Sequence, residues 1–163
     1  MSKQTACIDD KESYAYLELR DSNFVSEAVR RSMRGNRSKG TSPELRLRKF
    51  IWAAGVRGFR TNVRSLPGVP DIVFGKSRVA VFVHGCFWHS CPRCLGSRIP
   101  RTNSKYWSKK LSRNRERDAE ATHELQLMGY RVHVVWECEL RGDRLEETVH
   151  RIKDLVVSRR LKE

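Results

Sequence analysis

The chain has 163 residues and a mass of 19.0 kDa, enough for one domain with a real core and too short for two ordinary ones. With 39% hydrophobic and 32% charged residues, it has the composition of a globular domain and is neither fibrous nor wholly disordered. Thirty-three Lys and Arg against nineteen Asp and Glu leave a net charge of +14, an excess that points to a polyanion partner, nucleic acid first.

No apolar run approaches the roughly 18 residues of a bilayer span, and no segment reads as a basic amphipathic anchor. A membrane partner is therefore not expected. The opening MSKQTACIDDKESY has no apolar stretch of the secretory kind, so a cytoplasmic protein is expected. Residues 1–29 hold three basic and six acidic side chains. Residues 1–25 read as an N-terminal extension, with a short helix near Tyr14 to Leu19, and residues 26–160 as the single folded domain. Two blocks carry the positive field: residues 30–60 with ten basic and one acidic side chain, and 92–117 with nine and one. One such run is usually a solvated face; two with almost no compensating acid favour phosphate binding.

After a turn-like stretch, GNRSKGTS, a helix is expected from Thr41. Thr41-x-x-Glu44 fits a capping box, and Pro43 is tolerated in a first turn. Leu47, Phe50, Ile51 and Ala54 follow at helical spacing until Gly55. Strands are expected at Phe59–Val63, at Asp71–Phe74 after the turn-forming LPGVP, and at Val79–Val83, the last apolar throughout as in a strand buried on both faces. Asn103–Met128 reads as a long helix ended by Gly129. Its inward stripe is Trp107, Leu111, Asn114, Asp118, Ala121 and Leu125. Arg131–Trp136 is a fourth strand. Asp143 then introduces a helix with the core stripe Leu145, Val149, Ile152 and Val156. The order helix, three strands, helix, strand, helix gives an α/β fold with helices packed on one sheet.

There are five cysteines, and in a reducing compartment disulfides are not expected. Cys86, Cys91 and Cys94 have metal-ligand spacing just past the third strand, and Cys138 lies just past the fourth. If these strands are neighbours, the four thiolates meet in a closed tetrahedral zinc site. The rival reading is a redox pair, with Cys138 a small buried residue. His84, His89 and His133 are substitute ligands. Cys7 lies in the extension without an assigned role.

Asp71 stands at a strand mouth after a Pro-Gly turn, a place suited to holding magnesium. His84 and His89 flank the cysteine turn one strand later, and Glu44 sits in the first turn of the preceding helix. An Asp, a Glu and two His around a basic groove suit metal-assisted phosphodiester hydrolysis. A histidine titrates near working pH and can orient or deprotonate water. The plain alternative for His84 is a hydrogen-bonded histidine at a strand end. Asp118, on the inward face of the long helix, needs a partner: a histidine of the active loop, or Arg115 or Arg117. Phe87 and Trp88, with Trp107 among Lys105, Lys109 and Lys110, are large rings in positive surroundings. They either stack on bases and wedge between steps or pack over the metal site and into the core. Met33, among Arg30, Arg31, Arg34 and Arg37, is a smaller candidate wedge.

LPGVPDIVF, VAVFVHGCFWHSCPRC, PRTNSKYWSKKLSRNRERD and GYRVHVVWECELRG occur in this order. Together they resemble the very-short-patch-repair (Vsr-type) DNA mismatch endonucleases, over about residues 30–142. HGCFWH with the WEC and NRERD segments is the specific part. The resemblance implies a type II restriction endonuclease-like (PD-(D/E)xK-like) fold, with a mixed central sheet flanked by helices and a structural zinc site. It implies a magnesium-dependent enzyme, acting as a monomer with other repair factors and nucleoid-associated through its DNA. Such an enzyme nicks one strand beside a T·G mismatch left by deamination of 5-methylcytosine, typically within a methyltransferase recognition sequence.

By position, the resemblance makes Asp71 the magnesium ligand, with the backbone carbonyl of Val83. His89 becomes the histidine that activates water, with His84 in support. Glu44 joins the metal-bound water network, and Asp118 stands behind the histidine. Cys86, Cys91, Cys94 and Cys138 become the zinc ligands. Phe87, Trp88 and Trp107 intercalate beside the mismatch and Met33 enters from the opposite groove, with Arg34, Lys105 and Asn114 also at the DNA. Two other functions share these features: a restriction-type enzyme cutting both strands, and a zinc-containing DNA-binding module without catalysis.

Overall fold

The computed structural model describes residues 39–101 and 103–160, without the side chains of 159 and 160. The expected Tyr14–Leu19 helix, Cys7, Met33 and Arg34 lie outside the described residues.

Helix α1, Ser42–Ala53, starts at Thr41, whose N–H and hydroxyl both donate to Glu44 Oε1, at 3.4 and 2.8 Å. Leu47 and Ile51, one turn apart, are fully buried, each burial stabilising the fold by about 1.5–3 kcal/mol. The helix ends in a Schellman motif. Gly55 takes φ +80°, its N–H bonds Trp52 O, and Val56 N–H bonds Ile51 O. The accompanying apolar contact joins Val56 and Ile51 in one core cluster.

Strands β1 (Arg60–Thr61), β2 (Ile72–Phe74), β3 (Val79–His84) and β4 (Arg131–Trp136) form one mixed sheet in that spatial order. β1 and β2 are antiparallel, as are β2 and β3, whereas β3 and β4 are parallel. A parallel pair needs a long crossover, and helix α2, Ser104–Leu127, supplies it. It too ends in a Schellman motif: Gly129 has φ +79° and Tyr130 N–H bonds Leu125 O. Helix α3, Arg144–Arg160, closes the described chain.

Period-2 alternation along β3 feeds two cores. Val79 and Val81 join Leu47, Ile51 and the α3 stripe Leu145, Val149, Ile152 and Val156 on one face. Ala80 and Phe82 join Leu66, Val73 and the α2 residue Leu125 on the other. The sheet is thus covered on both faces, in agreement with the apolar composition of β3. The first strand is shorter than the expected Phe59–Val63. Phe59 still packs its ring edge-on against Phe74 and Val63 N–H still bonds Pro70 O, but Asn62 between them takes a left-handed φ of +50° and interrupts the extended run. Among the described residues no helix is long and apolar enough to cross a membrane.

Candidate active site and cysteine cluster

Antiparallel pairing with Ile72 opposite Val81 delivers Asp71 level with the C-terminal end of β3. Its Oδ2 accepts the Val83 N–H at 2.7 Å. Burial pushes the Asp71 carboxyl up to about 6, outweighing the Val83 hydrogen bond; Glu44 adds to the rise, and Arg48 and His89 oppose it. Glu44 reaches this place from α1. Buried itself, it accepts the Gly40 N–H at 2.9 Å and the Arg48 guanidinium at 3.0 Å on Oε2. The same Arg48 nitrogen lies 3.5 Å from the Asp71 carbonyl oxygen. Arg48 therefore joins the two acids, a role its sequence position signals only as an i,i+4 pair with Glu44.

His84 ends β3 and His89 follows a short turn, in which His89 N–H bonds Gly85 O. Their rings stack with centroids 3.9 Å apart and 13° between planes. His89 Nδ1 lies 2.6 Å from Asp118 Oδ2 on α2, while His84 Nε2 stands 4.0 Å from the other carboxylate oxygen. Asp118 thus meets a histidine of the loop. A carboxylate only accepts, so Nδ1 carries a proton, and in the neutral ring the lone pair is left on Nε2 of His89. Burial, then the neighbouring His89, holds His84 down to about 4, so the His84 ring is neutral near pH 7.

The Asp71 surroundings fit a hard cation: a desolvated carboxylate, held by one backbone N–H and faced by a second carboxylate, gains from a positive ion. The His84, His89 and Asp118 ligand atoms also lie within 4.8 Å of one another. There, however, the His89–Asp118 hydrogen bond already uses two of them.

Cys86, Cys91, Cys94 and Cys138 converge because β3 and β4 are parallel neighbours with His84 opposite Trp136, two residues before Cys86 and Cys138 respectively. All four sulfurs lie within 4.8 Å of one another, and Cys91 Sγ is 3.8 Å from Cys138 Sγ. A disulfide needs about 2.0 Å, so these are free thiols. Four sulfurs at roughly 2.3 Å from a tetrahedral zinc stand about 3.8 Å apart, and the cluster fits that ion. Burial pushes the Cys86 and Cys138 thiols up, and the Gly96 N–H pulls Cys94 down. A Cβ on Gly96 would come within 3.2 Å of Cys86 Cβ and 3.3 Å of Cys94 Sγ, so the loop closes tightly over the cluster. Beside it, buried Glu139 accepts Arg93 at 2.6 Å and Arg151 at 2.8 Å on Oε1, and the Trp136 N–H at 2.8 Å on Oε2. That carboxylate ties the cysteine loop to α3.

Phe87, Trp88 and Trp107 form an edge-to-face group, with centroids 5.1 to 6.0 Å apart. They are half-buried, so their rings are shared between the protein and solvent. Lys110 points its ammonium at Trp88, Tyr106 and Trp107 from 5.5, 5.6 and 5.9 Å. Sequence reasoning noted Lys110 only as a neighbouring charge, although i,i+3 and i,i+4 spacing from Trp107 and Tyr106 signals the contact. Asn114 Nδ2 donates to Trp88 O at 2.9 Å, fixing the aromatic loop to α2. Lys105 is exposed on the first turn of α2.

The family model described as DNA mismatch endonuclease Vsr matches residues 23–93. The type II nicking enzyme V.NmeAIP of Neisseria meningitidis is 44% identical over 126 residues, which cover 73% of this chain and 87% of that relative. V.XorIIP of Xanthomonas oryzae, also named a type II nicking enzyme, is 45% identical over 114 residues, 70% of this chain and 82% of its own. The DNA mismatch endonuclease Vsr of Escherichia coli is 40% identical over 112 residues, 69% of this chain and 70% of its own. With relatives this similar over so much of their length, the chain belongs to the Vsr family of DNA mismatch endonucleases.

Proposed function

We propose that the protein nicks one strand beside a T·G mismatch, in double-stranded DNA, by magnesium-dependent hydrolysis, and so starts very short patch repair. The observation that carries this reading is the placement of Asp71 at the end of β3, near a histidine whose Nδ1 is held by Asp118. The domain doing this is residues 26–160, of restriction endonuclease type, preceded by the 1–25 extension. It acts as a monomer on nucleoid DNA with other repair factors.

Asp71 and the Val83 carbonyl would hold magnesium, with Glu44 as a second acid beside the site; when bound, the ion would supply positive charge to offset that of the scissile phosphate. His89 takes a proton from the attacking water at Nε2. Asp118 keeps the ring in the tautomer that leaves this atom free. The water oxygen forms one bond to phosphorus as the bond to the leaving sugar oxygen breaks. His84, neutral and stacked beneath, confines the His89 ring without adding a second positive charge. Arg48 offsets the repulsion between Glu44 and Asp71. The Cys86, Cys91, Cys94 and Cys138 thiolates would hold zinc, which closes a loop with little core of its own. Phe87, Trp88 and Trp107 unstack the base step, which costs least at a mismatch.

The test is a panel of T·G duplexes in different methylation contexts, incubated with protein and magnesium, with any nick mapped. A single nick beside the mismatch supports the reading. Cuts in both strands favour a restriction-type enzyme, and binding without any cut favours a zinc-containing DNA-binding module.

A further inference from the structure

The loop that delivers Asp71 holds a β-branched residue in a conformation such residues avoid. Leu66-Pro67-Gly68-Val69 makes a turn in which Val69 N–H bonds Leu66 O at 3.1 Å, with Gly68 at φ +67°. Proline at the second position and a left-handed glycine at the third are what a type II turn requires. The chain then stays left-handed for one more residue, with Val69 at φ +51°. A branched side chain crowds the backbone there, and the following Pro70 restricts Val69 further.

The loop cannot relax outward, because both sides are anchored. Leu66 and Pro70 are buried. A Cβ on Gly68 would lie 2.7 Å from Ala121 Cβ and 3.1 Å from Phe82 Cζ, so the turn presses on α2 three residues beyond Asp118. Asn62 N–H bonds Asp71 O and Val63 N–H bonds Pro70 O. Val69 is thus fixed on the rim between Asp71 and the Asp118 helix.

Val69 is 42% exposed and belongs to neither apolar core cluster, so core packing does not account for the strain. Asparagine or glycine would adopt this backbone at lower cost. Strained residues of this kind collect where a molecule meets its ligand. We propose that the Val69 methyl groups contact the deoxyribose next to the scissile phosphate and help seat the strand against Asp71. The contact rests on the assignment of Asp71 as the cleavage site. An apolar contact already made in the bound ground state strengthens binding without speeding the chemical step.

Val69→Asn and Val69→Gly remove both the strain and the methyl groups, whereas Val69→Ile keeps both. The first two are expected to melt roughly 2–6 °C higher, while their Kd and KM for a T·G duplex rise about 5–10-fold with kcat at saturating DNA unchanged. Val69→Ile is expected to keep wild-type Kd. Unchanged Kd in the Asn and Gly variants would overturn the contact, as would a fall in kcat with KM unaltered. Asp71→Asn in the same assay separates the two assignments. If it nicks at the wild-type rate, the cleavage site is elsewhere, whereas the Val69 contact is read from Kd alone.

Discussion

His89 and Asp118, 29 positions apart in the chain, meet as an imidazole Nδ1 and a carboxylate oxygen 2.6 Å apart. The pair joins the loop after β3 to the crossover helix, and it fixes which ring nitrogen can accept a proton. Asp118→Asn can present its amide to the ring and so favour the wrong tautomer. Single-turnover nicking is expected to fall about 10–100-fold with DNA affinity unchanged. An undiminished rate would remove Asp118 from the reaction.

The Asp71 carboxyl carries its proton more tightly in the fold, at about 6, than at the ordinary value of 3.8. Its contribution therefore favours the fold below pH 4 and is lost as pH rises through 6, a loss on the order of 3 kcal/mol. Asp71→Asn keeps an acceptor for Val83 N–H and carries no charge. In the absence of magnesium it is expected to melt higher than wild type at pH 8, with the gap closing toward pH 4. Nicking by wild type is expected to decline on acidification, as protons compete with magnesium for the Asp71 carboxylate, and to recover with added magnesium. A variant less stable than wild type at pH 8 would contradict the desolvated site.

His84 shifts the other way. Its folded value of about 4 lies below the ordinary 6.5, so its contribution is present above pH 6.5 and is lost as pH falls through 4. Between these values Asp71 and His84 oppose one another. His84→Phe keeps a stacked ring without the titration, and its melting temperature is expected to fall less than wild type's on acidification from pH 6.5 to 4. An identical acid profile would count against the buried neutral imidazole.

The four thiols require a cation to be held so close as thiolates. Metal analysis of purified protein is expected to find about one zinc per chain. Cys138→Ser is expected to lose it and to lower the melting temperature sharply. A zinc-free protein of unchanged stability would leave the cluster as four packed thiols.

Removing one ring from the aromatic group tests the wedge. Trp107→Ala is expected to weaken binding of a T·G duplex by about 1–3 kcal/mol and to narrow its preference over a matched T·A duplex. Equal loss on both duplexes would make Trp107 a packing residue alone. Affinity is also expected to fall steeply with added salt as counterions are released.

Local signals in the sequence carried much of this arrangement. The Leu145, Val149, Ile152 and Val156 stripe has helical period, and all four residues are buried. The capping box at Thr41 and the glycines after α1 and α2 mark helix ends through hydrogen bonds that span only a few residues. The cysteine spacing became a cluster once β3 and β4 proved to be neighbours. What depended on long-range packing was not legible. Arg48 joins Glu44 to a residue 23 positions away, and Glu139 gathers Arg93 from 46 positions upstream. Nothing in either segment distinguishes these charges from surface ones. Strand β1 is shorter than expected because Asn62 takes a left-handed φ of +50°, which interrupts the extended backbone.

The central claim is that Asp71 carries strand cleavage at a mismatch. Its most direct test is mapped nicking of a T·G duplex and its T·A control, with magnesium, by wild type and Asp71→Ala. The expected result is one nick beside the mismatch by wild type, none on the control, and none by Asp71→Ala although it still binds. Cleavage by Asp71→Ala at the wild-type rate would contradict the claim.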